Sequence, residues 1–242
     1  MWLLAKERRL SYRPWRKDTV RITIELSSPM ACVDGDIRLD ALLHCCVLQD
    51  LADEAKRRGH RSDFPRTVWR DVPMPLAKMQ TAQGDDFKKI YCASFAEYDG
   101  SESVNRWKKR WEDEFDDMVD FGSRKQVIDH KKEHFKSYDM PVVLRSTREL
   151  VFYARGVGEE IERLLKTYLT HMGKKGSQGY GRIRSVAVRP CAEDWSVWRD
   201  GKPMRAIPLE MAGETEGLRQ IFCGYRPPYY LPEHQCLCVA CR

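Results

Sequence analysis

The stretch Gly173-Lys-Lys-Gly-Ser-Gln-Gly-Tyr-Gly181 sets four glycines within nine residues, with Lys174, Lys175, Ser177, Gln178 and Tyr180 between them. Glycine reaches φ > 0 and lets backbone N–H groups come close to a ligand. Such a backbone flanked by lysines suits a polyanion. The flanks restrict the fold. Before the loop, Ile161, Leu164, Leu165, Tyr168, Leu169 and Met172 recur at helical spacing, so Gly158–Met172 reads as an amphipathic helix. Glu159 and Glu160 open it, where the helix dipole favours anions. After the loop, Tyr180–Arg189 is rich in Ile, Val and Arg and reads as a strand. A Walker loop requires strand, G-x-x-x-x-G-K-[ST], helix; here Ser177 follows Gly176 and the flanks are reversed. A Rossmann turn has the same strand-to-helix requirement. A glycine C-cap at Gly173 with a flexible connector explains one glycine, not four, and not the lysines.

The rest of the chain supplies partners for that unit. Thr19–Leu26 alternates, with Val20, Ile22, Ile24 and Leu26 on one face and Arg21, Thr23 and Glu25 on the other, the pattern of a half-buried strand. Ser27-Ser-Pro-Met30 ends it, and Leu39, Leu42, Leu43, Cys46, Val47 and Leu51 trace a helical stripe ending before Arg57. Residues 60–84, with three prolines and Gly84, read as mostly irregular. Phe87–Tyr98 reads as a strand, and Pro141–Ala154 as another, bent near Ser146-Thr147. Strand, helix, strand, strand, helix, strand is the ferredoxin-like βαββαβ order, an α+β class shared with RNA-recognition domains. In this order Tyr180, Arg182 and Arg184 share a face of the last strand, where a ring and two guanidinium groups stack bases and hold phosphates; a solvated face is the plainer alternative.

An insertion at about residues 99–140 interrupts this order. It carries Arg106-Trp107-Lys108-Lys109-Arg110-Trp111, then acids from Glu112 to Asp120, then bases from Arg124 and Lys125 to Lys136. On a helix Trp107 and Trp111 share a face, and cations interleaved with rings suit single-stranded nucleic acid. A solvated helical hairpin whose tryptophans pack on the body is the competing reading. Beyond Pro190, Asp200-Gly201 marks a hairpin turn, and residues 191–242 read as a β-rich extension. Residues 1–18 form a basic arm before the 19–190 domain.

Charge and cysteine usage narrow the function classes. A net charge of +6 fits a nucleic-acid partner without requiring one. No apolar run is long enough to span a bilayer, and Met1-Trp-Leu-Leu-Ala is too short for a signal-peptide core. A cytoplasmic protein with free thiols is expected. His234, Cys236, Cys238 and Cys241 fall within eight residues and have zinc-ligand chemistry. Cys236 and Cys238 share one face of a strand, however, and no second ligand group follows, so neither a metal nor a cofactor is expected.

Gly173–Ile183 resembles the glycine-rich loop of the RAMP superfamily, the ferredoxin-like RNA-binding subunits of CRISPR effector complexes. Leu26-Ser-Ser-Pro-Met30 and Arg38-Leu-Asp-Ala-Leu-Leu-His44 are similar to the start of the small RAMP subunit of type IV complexes. Pro73-Met-Pro-Leu76 and Tyr91-Cys-Ala-Ser-Phe95 fit the same subunit. The likeness spans roughly residues 19–190. It implies a non-catalytic subunit capping the 5′ handle of the crRNA, with residues 173–184 on the RNA backbone and residues 99–140 as a thumb. It also implies backbone RAMP subunits as neighbours, and places target DNA near its recognition motif and a DinG-type helicase among the candidate partners. The alternative is a metal-independent crRNA-processing ribonuclease with a histidine acid–base group. His44, expected off the apolar stripe of its helix and at the surface, and His130 or His134 are its candidates.

Overall fold

The computed structural model describes residues 17–33, 35–59, 72–81, 88–120, 122, 131, 135–213 and 215–241. In chain order the elements are β1 (Asp18–Leu26), β2 (Met30–Ala31), α1 (Leu39–Arg57), β3 (Lys78–Gln80) and β4 (Lys89–Tyr91). Next come β5 (Ser101–Lys109), β6 (Tyr138–Ser146), β7 (Glu149–Gly156), α2 (Gly158–Tyr168) and β8 (Ile183–Pro190). The last are β9 (Trp198–Arg199), β10 (Lys202–Pro203), β11 (Ile207–Pro208), the one-turn α3 (Leu209–Ala212), β12 (Gln220–Gly224) and β13 (Gln235–Val239). The architecture is α+β, with antiparallel sheets and few helices.

The central sheet is built on β1. Its alternation buries Val20, Ile22, Ile24 and Leu26 and leaves Arg21 exposed. β7 pairs antiparallel on one side of β1 and β8 on the other, with a bulge where Glu25 and Leu26 meet β8. Beyond β7, Ala93 bridges Ala154 and Glu97 bridges Val151, so the irregular segment after β4 follows the outer edge of β7. The buried face meets α1 and α2. Leu39, Leu43, Val47 and Leu51 from α1, and Ile161, Leu164 and Leu165 from α2, pack on Ile22, Ile24, Leu150 and Phe152. Burying each such side chain contributes about 1.5–3 kcal/mol. A polar seam joins the helices: Arg163 reaches Asp50 at 2.8 Å and Glu160 at 2.7 Å, and the Tyr168 hydroxyl donates to Asp50 at 2.7 Å. This seam holds the end of α2, and therefore the start of the glycine loop.

A second core lies on the other side of residues 90–95, where Ile90, Cys92 and Phe95 meet Val197, Ile207, Tyr225 and Cys238. It joins the short pairs β3·β4 and β9·β10 and the β11-β13-β12 sheet to the body. Asp200 and Gly201 turn the β9·β10 hairpin with φ of 49° and 74°, the left-handed pair that a tight two-residue hairpin needs.

Several elements depart from the sequence expectation. The insertion is mostly strand where it is described: β5 and β6 form a nine-pair antiparallel ladder from Ser101↔Ser146 to Lys109↔Tyr138, and helical structure is confined to a short 3-10 turn at Asp113–Met118. Every residue from Ser101 to Arg106 is exposed, so no alternation marks this strand in the sequence. Residues 141–154 are two strands, and the chain breaks at Thr147 and Arg148 to pass from the β2-β6-β5 sheet to the central one. α2 ends at Tyr168, one turn earlier than its apolar spacing indicates, because Leu169 turns extended (φ −98°, ψ 100°); Met172 still reaches the core, from the loop. The strand expected from Phe87 shrinks to β4 plus the bridged segment, and Phe87 itself lies outside the described residues. Of the arm at 1–18, only Lys17 and Asp18 are described.

Candidate functional site

The glycine loop is a folded unit stitched to the chain between β1 and β2. The Lys174 N–H donates to the Ala31 carbonyl (2.8 Å) and the Gly181 N–H to the Pro29 carbonyl (2.8 Å). The Ser28 hydroxyl donates to the Gly179 carbonyl at 2.7 Å, and the Arg182 N–H donates back to that hydroxyl at 2.9 Å. Across the neck of the loop, the Met172 N–H bonds the Gly181 carbonyl (2.8 Å) and the Ile183 N–H the Thr170 carbonyl (3.1 Å). Gly173 (φ 78°) and Gly181 (φ 65°) serve this stitching: a Cβ at Gly173 would lie 2.5 Å from the Ala31 carbonyl oxygen, and one at Gly181 would collide with the Met172 carbonyl. Their close approach is to the protein's own backbone. Lys175 also takes a left-handed conformation (φ 63°). Among the described residues, nothing accepts a hydrogen bond from the N–H of Lys175, Gly176 or Ser177.

The loop packs on the β5·β6 hairpin. The Lys175 ammonium sits 3.1 Å from the centre of the Trp107 ring, a cation–π contact. The Asn105 amide donates to the Tyr180 hydroxyl at 3.1 Å, and the Trp107 and Tyr138 rings meet edge-on at 4.8 Å. The two regions singled out separately in the sequence, residues 173–184 and the tryptophan-bearing insertion, thus meet at one junction. Strand alternation places Asn105, Trp107 and Lys109 on the same face as Tyr138 and Met140, and this face carries the loop contacts.

Alternation also divides the basic block. Arg106 and Lys108 lie on the opposite face, where Asp139 accepts from Arg106 at 2.9 Å and stands 3.9 Å from Lys108. The hydrogen bond from Arg106 holds the Asp139 carboxyl below the ordinary carboxylate range. Trp111 does not share a face with Trp107. It lies past the end of β5, where its ring meets Phe135 at 4.9 Å and its indole N–H donates to Asp116. Arg110 also follows the strand, and Arg124 and Lys125 lie outside the described residues.

On the other flank, β8 begins at Ile183, so Tyr180 and Arg182 belong to the loop and do not share a strand face with Arg184. Tyr180 turns to the hairpin, whereas Arg182 and Arg184 line a groove of about 700 Å³ with Lys166 and His171. Lys174, Ser177 and Gln178 are exposed. Four participants escape the sequence reading: Ser28, Asn105, Tyr138 and Lys166. Ser28 sits inside the quoted Ser-Ser-Pro-Met run. The others carry no local signal, because strand pairing and helix packing bring them in.

His44 is 6% exposed, against the expectation of a surface residue. His130 and His134 lie outside the described residues. His234 is buried, with its ring nitrogen 3.1 Å from the Pro228 carbonyl. Among the described residues, no group of three or more His, Cys, Asp or Glu is arranged to hold a metal ion. Cys236 and Cys238 do share a strand face, with sulfurs 3.6 Å apart. A hydrogen bond from Cys238 lowers the Cys223 thiol to about 7. No described helix is long and apolar enough to cross a membrane.

No curated protein matches the sequence. A family model does, and it covers both the central sheet with its loop and the C-terminal sheets: the family of CRISPR type IV associated protein Csf3 matches residues 18–241. The chain belongs to that family, a type IV CRISPR-associated subunit.

Proposed function

We propose that this subunit binds the guide RNA of a type IV effector complex without catalysing a reaction, and that its glycine loop and β5·β6 hairpin together cap the 5′ handle. The observation that carries this reading is the junction itself. Lys175, Trp107, Tyr138 and Tyr180 put a cation and π-faces on one surface, the combination that holds an unpaired strand through charge and stacking. The amides of Lys175, Gly176 and Ser177 add donors for phosphate oxygens.

The arrangement of the central sheet supports a ferredoxin-like RAMP domain over residues 19–190. Its order runs β8-β1-β7, then the bridged segment at 93–97, with α1 and α2 on one face. In this reading the hairpin is the thumb and residues 191–242 are the C-terminal extension. Neighbouring backbone RAMP subunits, target DNA beside its recognition motif and a DinG-type helicase are the partners it implies.

Ultraviolet crosslinking of the reconstituted complex tests the assignment. Crosslinks from the guide handle to Trp107 or Tyr180 are expected. Handle crosslinks confined to other subunits would sink it. Incubation with repeat RNA in chelator tests the non-catalytic part: cleavage abolished by His44→Ala, His130→Ala or His134→Ala would make the chain a nuclease.

A further inference from the structure

Arg182 and Arg184 leave the glycine loop toward a groove along β8 that has no lining residue in common with the hairpin contacts. The groove is enclosed by the end of α2 and the start of β8. It presents Lys166, Arg182, Arg184 and His171, the Thr170 hydroxyl, and an apolar floor of Leu169, Ile183 and Val186, while the Ser185 hydroxyl at its edge donates to Glu25 at 2.9 Å. No carboxylate lines it. Two other surface grooves differ: one is lined by Asp18, Glu159 and Glu162, the other by Glu97, Asp99 and Glu149. Lys166 is paired with Glu162 at 2.7 Å, whereas no described carboxylate stands within 4 Å of Arg182 or Arg184.

We propose that this groove is a second phosphodiester site, which takes the backbone of the same RNA strand as it leaves the loop–hairpin junction. The inference rests on the RNA-binding reading above and adds the path of the strand. Tyr180, which contacts the hairpin, and Arg182, which enters the groove, are two residues apart, at most about 7 Å of chain. A single strand therefore reaches both sites without a gap. Cations beside a hydroxyl suit phosphate oxygens. The apolar floor accommodates a sugar or base edge, a feature that a purely acidic peptide would not use.

The experiment is fluorescence anisotropy of the full chain with handle RNAs of increasing length. It compares wild type with Arg182→Gln/Arg184→Gln, with Lys166→Gln, and with the triple variant. Thermal melting establishes that each is folded; Lys166→Gln alters only an exposed helix position and keeps the test available if the arginine variants are unstable. In the wild type, affinity is expected to rise with length up to the strand that fills both sites. In the triple variant the rise stops short, the longest RNA loses tenfold or more in affinity, and the slope of log K against log salt falls by about two. That slope change is what three lost contacts to a single strand give. The shortest RNA, held mainly at the junction, loses less than the longest.

Equal loss at every length, or none at any length, would overturn the groove assignment. So would variants that retain RNA affinity but lose a co-purifying protein subunit, which would give the groove to an acidic protein segment. Absence of RNA binding by the wild type at any length is a different result: it removes the proposed function itself.

Discussion

Lys175 combines a backbone cost with a side-chain contact. A left-handed φ at an L residue costs about 1–2 kcal/mol, and the cation–π contact with Trp107 returns about 0.5–1 kcal/mol at an exposed site. Lys175→Gly removes both. Its effect on stability, read by thermal melting, is expected to be within about 1 kcal/mol of zero, while RNA affinity falls through the lost cation. Trp107→Ala separates stacking from charge: losing one base–ring stack costs about 1–3 kcal/mol, a fall in RNA affinity of roughly 5- to 150-fold with the salt slope unchanged. An unchanged affinity for Trp107→Ala in anisotropy would remove Trp107 from the interface. At this scale the sequence was informative about residue types and uninformative about partners. The four glycines and two lysines were visible as a unit. That Gly173 and Gly181 answer to Ala31 and Met172 was not, because the facing carbonyls come from chain about 140 residues away in one case and from the far side of the loop neck in the other.

The hairpin shows what local pattern can and cannot carry. β1 was readable because one face is buried and the other is not; β5 was not, because six successive residues are exposed on both faces. Trp107 and Trp111, four apart, fit a helix face equally well on paper. Only the ladder from Ser101 to Lys109 shows that Arg106 and Trp107 point to opposite sides. This separation predicts opposite behaviour for neighbouring residues. Arg106→Gln is expected to leave RNA affinity within about twofold of wild type, a change of at most roughly 0.4 kcal/mol, although Trp107→Ala next to it does not. The same substitution should move the Asp139 titration. A carboxyl held low by Arg106 contributes its ion pair above the ordinary carboxylate pKa, and the contribution is lost as pH falls through the lowered folded value. Carboxyl NMR should therefore place the Asp139 midpoint below that of an ordinary aspartate in the wild type, and return it upward in Arg106→Gln. An unshifted wild-type midpoint would mean that the pair does not persist in solution.

For the whole molecule, the family match and the packing agree that the C-terminal sheets belong with the half that carries the glycine loop. The match runs through residue 241, and the physical link is a buried ion pair. Arg205 is fully buried and meets Asp40, 1% exposed, at 3.1 Å. Its guanidinium also donates to the carbonyls of Tyr91, Ala93 and Tyr225, and the Tyr229 hydroxyl completes Asp40 at 2.6 Å. Burial and the Asp40 charge push the Tyr229 hydroxyl well above its ordinary range, which keeps it a donor. Asp40 stands in the first turn of α1, so the pair ties the first helix, the bridged segment beside β7 and the C-terminal extension at one point. None of this was legible in the sequence: Asp40 reads as an N-terminal helix acid and Arg205 as one arginine among many. Breaking a buried pair from one side leaves an uncompensated charge and costs about 3–5 kcal/mol. Against the 5–15 kcal/mol that holds a typical domain together, Arg205→Met and Asp40→Leu are each expected to lower the denaturant midpoint severely. Arg205→Met is the worse, because it also removes a donor from the carbonyls of Tyr91, Ala93, Ala206 and Tyr225. The double variant removes both charges together, so its loss should be smaller than the sum of the two single losses by more than 1 kcal/mol. Strict additivity in the denaturation cycle would mean that the two groups do not interact, and that the C-terminal sheets are held by the apolar contacts of Phe95, Ile207 and Cys238 alone.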